Sequence, residues 1–252
     1  MSVHPTKREL RAQRRAERVA AERAEAASRT RRTRAVRLLA AAGVAAVVVT
    51  VAAVASSSGG QPAAPVERSG LFRGIPERAG VLGDPDAPLM LTEYVDLQCP
   101  ACAAAAREEL PQIVRDYVRT GKARLDARTL QFIGPDSERA ARFAAGAARQ
   151  GRLWPFLEAF YAAQGPENSG YVTDEFLRSV AAAAGVDADA ALEFADSAEA
   201  QERLDRANAD AARRGIESTP TFTLARGDGE PRVLEANDAR SVAAALDAEL
   251  AR

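Results

Sequence analysis

The chain has 252 residues, with 47% hydrophobic and 27% charged, enough to build a packed core over part of its length. It holds two cysteines, Cys99 and Cys102, and a single histidine, His4, which leaves no four-ligand structural zinc set. The net charge of −1 hides a split: residues 1–55 carry twelve Lys and Arg against four Glu, and the remainder carries 22 against 31 acidic residues.

The N-terminal positive charge runs from Lys7 to Arg37 and is followed by an uncharged stretch, "LLAAAGVAAVVVTVAAVA", from Leu38 to Ala55. That length of helix just crosses a hydrocarbon core. With the basic flank on its N-terminal side, the N-terminus stays in the cytoplasm and the rest of the chain lies outside. The expected organisation is a basic cytoplasmic segment at 1–37, a single transmembrane helix at 38–57, a Ser/Gly/Pro-rich linker at 58–85 and a folded domain at 86–252. Cleavage of a signal peptide near Ala53-Val54-Ala55 is the other reading, and it delivers the same domain outside. Arg31-Arg32 lacks the apolar residues that follow a twin-arginine signal. The basic run reads as a solvated helix that fixes topology rather than as a nucleic-acid site.

In the folded part, "APLMLTEYV" reads as a buried strand and the chain from Cys99 and Pro100 as a helix broken at Pro111 and ended by Gly121. "ARLDARTLQF" reads as a second strand. Four or five helices follow, over about 134–214, with Thr173 and Asp187 as caps and Gly215 as the stop. "TPTFTLA" and "EPRVLEA" form a hairpin around "RGDGE", and "DARSVAAALDAELA" closes the chain as a helix. The order is β-α-β, a helical block, then β-β-α.

Strand, short loop, then helix places Cys99 at the helix N-cap and Pro100 at the first helical position, where a missing N–H costs nothing. An N-cap side chain accepts hydrogen bonds from the amides two and three residues on, here Ala101 and Cys102. With the positive end of the helix dipole, this lowers the thiol pKa and makes Cys99 a nucleophile and a good leaving group. Cys102 points back toward the same end, within reach of a disulfide.

"GDPDAPLMLTEYVDLQCPACAAA" together with "GIESTPTFTL" resembles the DsbA-type thioredoxin-fold thiol–disulfide oxidoreductases, in particular their membrane-anchored extracytoplasmic branch. The likeness runs from about Gly83 to the C-terminus. It implies an α/β thioredoxin-like fold, a central mixed sheet flanked by helices, with an all-helical insertion. It implies Cys99 as nucleophile, Cys102 as resolving thiol, Pro220 as a cis-proline facing them beside Thr219, and Glu93 as a buried acid. The Pro100-Ala101 dipeptide departs from the CPHC of the strongest oxidants and points to a more moderate potential. The implied function is oxidation of cysteine pairs in exported proteins, with no cofactor or metal beyond the Cys99–Cys102 disulfide and with a quinone-coupled membrane thiol oxidase as redox partner. A reductase or isomerase would use the same residues. A metal-delivery module would need a Met or His near the pair, and a non-redox peptide-binding module would not need CPAC.

Overall fold

The computed structural model describes residues 70–235 and 238–252. The basic segment, the transmembrane helix and most of the linker expected from the sequence lie outside the described residues. Among the described residues no helix is long and apolar enough to cross a membrane.

The first ordered pairing is one the sequence reading placed in the linker. Strands β1 (Glu77–Arg78) and β2 (Val81–Leu82) form a small antiparallel hairpin, with Glu77 opposite Leu82. Leu82 is fully buried. Two-residue strands are too short to show any alternation, so the linker assignment of 77–82 is corrected only by tertiary contacts. Two of these are specific: Glu77 accepts the amides of Leu153 and Trp154 at 2.6 and 3.4 Å, and the Trp154 indole donates to the Gly80 carbonyl at 2.9 Å.

Strand β3 (Leu89–Asp96) is buried along almost its whole length, since it lies between neighbours and is covered on both faces. It is followed by α1 (Pro100–Glu108). Pro111 has no N–H to continue the ladder, and the helix breaks at Glu109. A short α2 (Leu110–Ile113) and a π-helical turn over Val114–Val118 follow, and Gly121 closes the segment at φ +70°. Strand β4 (Ala123–Leu130) then returns parallel to β3.

The helical insertion contains α3 (Pro135–Arg149), α4 (Leu153–Ala162), α5 (Asp174–Ala184), α6 (Ala188–Ala195) and α7 (Ala198–Arg213). The side chains of Thr173, Asp187 and Ser197 cap the last three of these by accepting amides three residues on. Strands β5 (Thr221–Arg226) and β6 (Arg232–Val233) and helix α8 (Ala239–Leu250) complete the fold. The sheet order is β1-β2-β4-β3-β5-β6, with β3–β4 parallel and the other pairs antiparallel. One continuous apolar core joins the sheet (Leu91, Val95, Leu125) to the insertion (Phe143, Phe156, Phe160) and to α8 (Val242, Leu246).

Candidate active site

The site sits where β3 ends and α1 begins. Asp96 is fully buried and ties this turn down: its carboxylate accepts the Gln98 amide at 2.8 Å, the Ser137 hydroxyl at 2.7 Å and the Ile133 amide at 3.1 Å. It holds the β3–α1, β4–α3 and α3 segments together.

Cys99 is the N-cap of α1, and Pro100 opens the helix. The side chain makes no regular cap hydrogen bond, yet the Ala101 and Cys102 amides still help to hold its pKa down. As a thiol it donates to the Thr219 carbonyl at 3.4 Å. The Thr219-Pro220 peptide bond is cis, and the segment lies 120 residues from Cys99 in sequence. Thr219 and Pro220 are half-buried, while Pro100 and Ala101 lie on the surface.

The two thiols are free and both buried, to different depths. Cys99 is 8% exposed and Cys102 is fully buried. The Cys102 thiol donates to the Cys99 sulfur and does most to hold the Cys99 pKa down, to about 5, against the opposing effect of burial. The Thr219 side chain and the amides of Cys102 and Ala101 add to the lowering. A thiolate at Cys99 therefore gives up its bond to the Thr219 carbonyl and keeps all its donors. Burial, then the neighbouring Cys99 sulfur, pushes the Cys102 thiol far up.

Glu93 lies on β3 opposite Ala127 of β4 and Phe222 of β5, at 3% exposure. Burial alone raises its pKa to about 8, so it is a protonated acid at neutral pH. The fold thus brings Cys99, Cys102 and Thr219 into contact, with Glu93 buried on the central strand that leads to them.

A family model described as Thioredoxin matches residues 77–248. The chain is 34% identical over 103 residues to the Probable disulfide bond formation protein D of Bacillus anthracis, an overlap of 39% of this chain and 46% of that protein. The chain therefore spans about half the length of that relative. It is 33% identical over 175 residues to a Na(+)/H(+) antiporter NhaA of Herminiimonas arsenicoxydans, covering 69% of this chain and 26% of that one. Among solved structures, oxidised BdbD from Bacillus subtilis superposes with a TM-score of 0.61 at 22% identity, over 71% of this chain and 97% of that one. The chain belongs to the thioredoxin family.

Within that family framework, several site neighbours escaped the sequence reading. Gln164 reaches out of the insertion and donates to the carbonyls of Leu97 at 2.7 Å and Cys99 at 3.2 Å. Gln98 donates to the Tyr171 hydroxyl at 2.8 Å and accepts the Asn168 amide at 2.9 Å. These residues clamp the loop after α4 onto the cysteine turn. No local pattern marks a glutamine for such a role; the contact is visible only once the insertion is folded back. Trp154 is buried in the insertion.

Proposed function

We propose that this protein is a thiol–disulfide oxidoreductase that oxidises cysteine pairs of exported proteins. The observation that carries the reading is the asymmetry of the pair: a low-pKa Cys99 bonded to Thr219 that keeps 8% exposure, and a fully buried, high-pKa Cys102. A sulfur with a low pKa leaves readily and stabilises the reduced enzyme, which favours the oxidising direction.

Starting from the Cys99–Cys102 disulfide, a substrate thiolate attacks the Cys99 sulfur. The substrate–Cys99 bond forms, the Cys99–Cys102 bond breaks, and Cys102 leaves as a thiolate. Buried and high in pKa, that thiolate takes a proton from Glu93, which is left as a carboxylate. A second substrate thiolate then attacks the substrate sulfur, closing the substrate disulfide and releasing Cys99 as a thiolate. Two electrons pass from substrate to enzyme. Regenerating the disulfide returns them to an acceptor, for which we assign a quinone-coupled membrane thiol oxidase, and Cys102 gives its proton back to the Glu93 carboxylate as it closes on Cys99. The chain before Pro220 carries no pairing on its outer edge, which suits an extended substrate segment laid beside Thr219.

The same reading places the domain outside the cytoplasm on a single-pass anchor at 38–57, supported by the basic run before it. External protease on intact cells should remove the domain, and its full protection would overturn that placement.

The activity test mixes the oxidised protein with a reduced peptide carrying two cysteines. The peptide should become a disulfide as the protein gains two thiols, Cys99→Ser should abolish this, and Cys102→Ser should accumulate a peptide adduct on Cys99. A reduction potential near the roughly −270 mV of thioredoxin would overturn the oxidising direction.

A further inference from the structure

Residues 56–252 are acidic as a whole, with 22 basic against 31 acidic side chains, yet one face of the domain reverses that balance. Two adjoining open grooves, of about 540 and 420 Å³, share Gly70, Leu71 and Glu158. Arg107, Arg115 and Arg119 line the first, and Arg73 and Arg152 line the second. Glu158 is the one acidic residue lining either groove among the described residues, and it is half-buried, whereas all five arginines are exposed. Arg128, Arg206, Arg213 and Arg214 are each tied to a carboxylate. None of the five groove arginines has such an ion pair among the described residues, although Arg152 also feels the Glu77 carboxylate. Clustered guanidinium groups without counter-charges raise the local positive potential and suit planar, bidentate recognition of phosphate.

The chain enters the domain at this same face. Arg119 donates to the Leu71 carbonyl at 2.6 Å and to the Arg73 carbonyl at 3.2 Å, and the Gly70 carbonyl accepts the Arg73 amide at 3.1 Å. The first described turn is thus fastened into the wall of both grooves. Residues 58–69 separate Gly70 from the anchor proposed at 38–57, and that length of chain reaches at most about 40 Å at full extension. A compact domain of this size is itself about 40 Å across. The arginine face is therefore held no more than about a domain's width from the bilayer.

We propose that this face docks on an anionic lipid surface, with Arg73, Arg107, Arg115, Arg119 and Arg152 bonding headgroup phosphates. The proposal rests on the reading that places a membrane anchor at 38–57. Its consequence is orientation. Arg107 lies in the last turn of α1 and Cys99 at the opposite end, a rise of about 12 Å along the helix. Docking through the arginines leaves the cysteine turn clear of the lipid and open to substrates.

The test is an arginine footprint of the full chain in lipid nanodiscs, either neutral phosphatidylcholine or a mixture containing phosphatidylglycerol. Phenylglyoxal modification is read by peptide mass. The five arginines should react at least about fivefold more slowly in the anionic discs, the gain that one arginine draws from such a surface. Arg178 and Arg232, exposed and outside both grooves, should react equally in the two discs. Salt of about 1 M, where the screening length falls to about 3 Å, should remove the protection. The Arg107→Gln/Arg115→Gln variant changes two exposed positions. It should return Arg73, Arg119 and Arg152 to their neutral-disc rates with Cys99 alkylation unchanged. Equal rates in both discs, or equal protection of Arg178 and Arg232, overturn the docking. Protection by soluble polyglutamate in neutral discs, with none in anionic discs, overturns it in favour of an acidic protein partner. The anchor is read separately: release of the wild-type chain from neutral discs at about 1 M salt overturns the anchor, whatever the footprint.

Discussion

Cys99 and Cys102 share the first turn of α1, three residues apart, and that turn leaves the first at 8% exposure and the second fully buried. Iodoacetamide should therefore label Cys99 with an apparent pKa near 5, far below the roughly 8.5 of a free thiol, and leave Cys102 unlabelled in the folded protein. Labelling of Cys102 first, read by peptide mass, would reverse the roles. Glu93 carries a cost as well as a function. Its pKa rises from 4.5 to about 8 on folding, so the native state binds the extra proton between those values. Its contribution to stability consequently falls as pH rises from about 4.5, and the full cost, on the order of a few kcal/mol, is in place above about pH 8. Glu93→Gln removes that ionisation. The variant should gain stability over wild type as urea melts move from pH 5 to pH 8.5, while its turnover falls.

Helix α3 crosses α6 at Gly146, where a Cβ would stand 2.7 Å from the Ala191 Cα and 2.8 Å from its carbonyl oxygen. Both obstacles are fixed backbone, so the two helices must separate to admit even a methyl group. Gly146→Ala should destabilise by about 1–3 kcal/mol in denaturant melts, yet leave the alkylation pKa of Cys99 unchanged, because the crossing lies away from the cysteine turn. A neutral substitution would mean that α6 slides freely. Helix α7 is fastened differently. The Asp210 carboxylate, 5% exposed, receives Arg128 of β4, Arg213 at 2.8 Å, Arg214 at 3.2 Å and the Tyr94 hydroxyl of β3. These bonds and charges keep its pKa below the usual carboxylate value despite burial.

The insertion and the sheet share one apolar core, and the Gln164, Gln98 and Asn168 contacts bind the loop after α4 to the cysteine turn. A unit with a common core and polar ties across it unfolds together. Calorimetry of the described part of the chain should show one transition, and a separate melting of the helical block would contradict the shared core. The charge split along the sequence gives the whole protein its proposed orientation, with the basic run inside and the acidic remainder outside.

What the sequence by itself determined was local chemistry. Cys99 and Cys102 before an alanine-rich helix, Pro100 at its start, the break at Pro111 and the caps Thr173 and Asp187 all follow from interactions within a few residues, so neighbouring letters suffice. Glu93 was less legible: it sits on a central strand buried on both faces, where alternation carries no inside–outside signal. Its place at the site came from family resemblance, and its burial from the sheet. The scattered apolar residues of the linker's later part allowed it to pack on the domain edge, but the hairpin at 77–82 was not legible, because two-residue strands have no period and its edge contacts with β4 and α4 are long-range. The approach of Thr219 from 120 residues away and the Asp96 staple were decided only by the tertiary structure. Each depends on which distant segments the packing brings together, and no spacing along the chain encodes that.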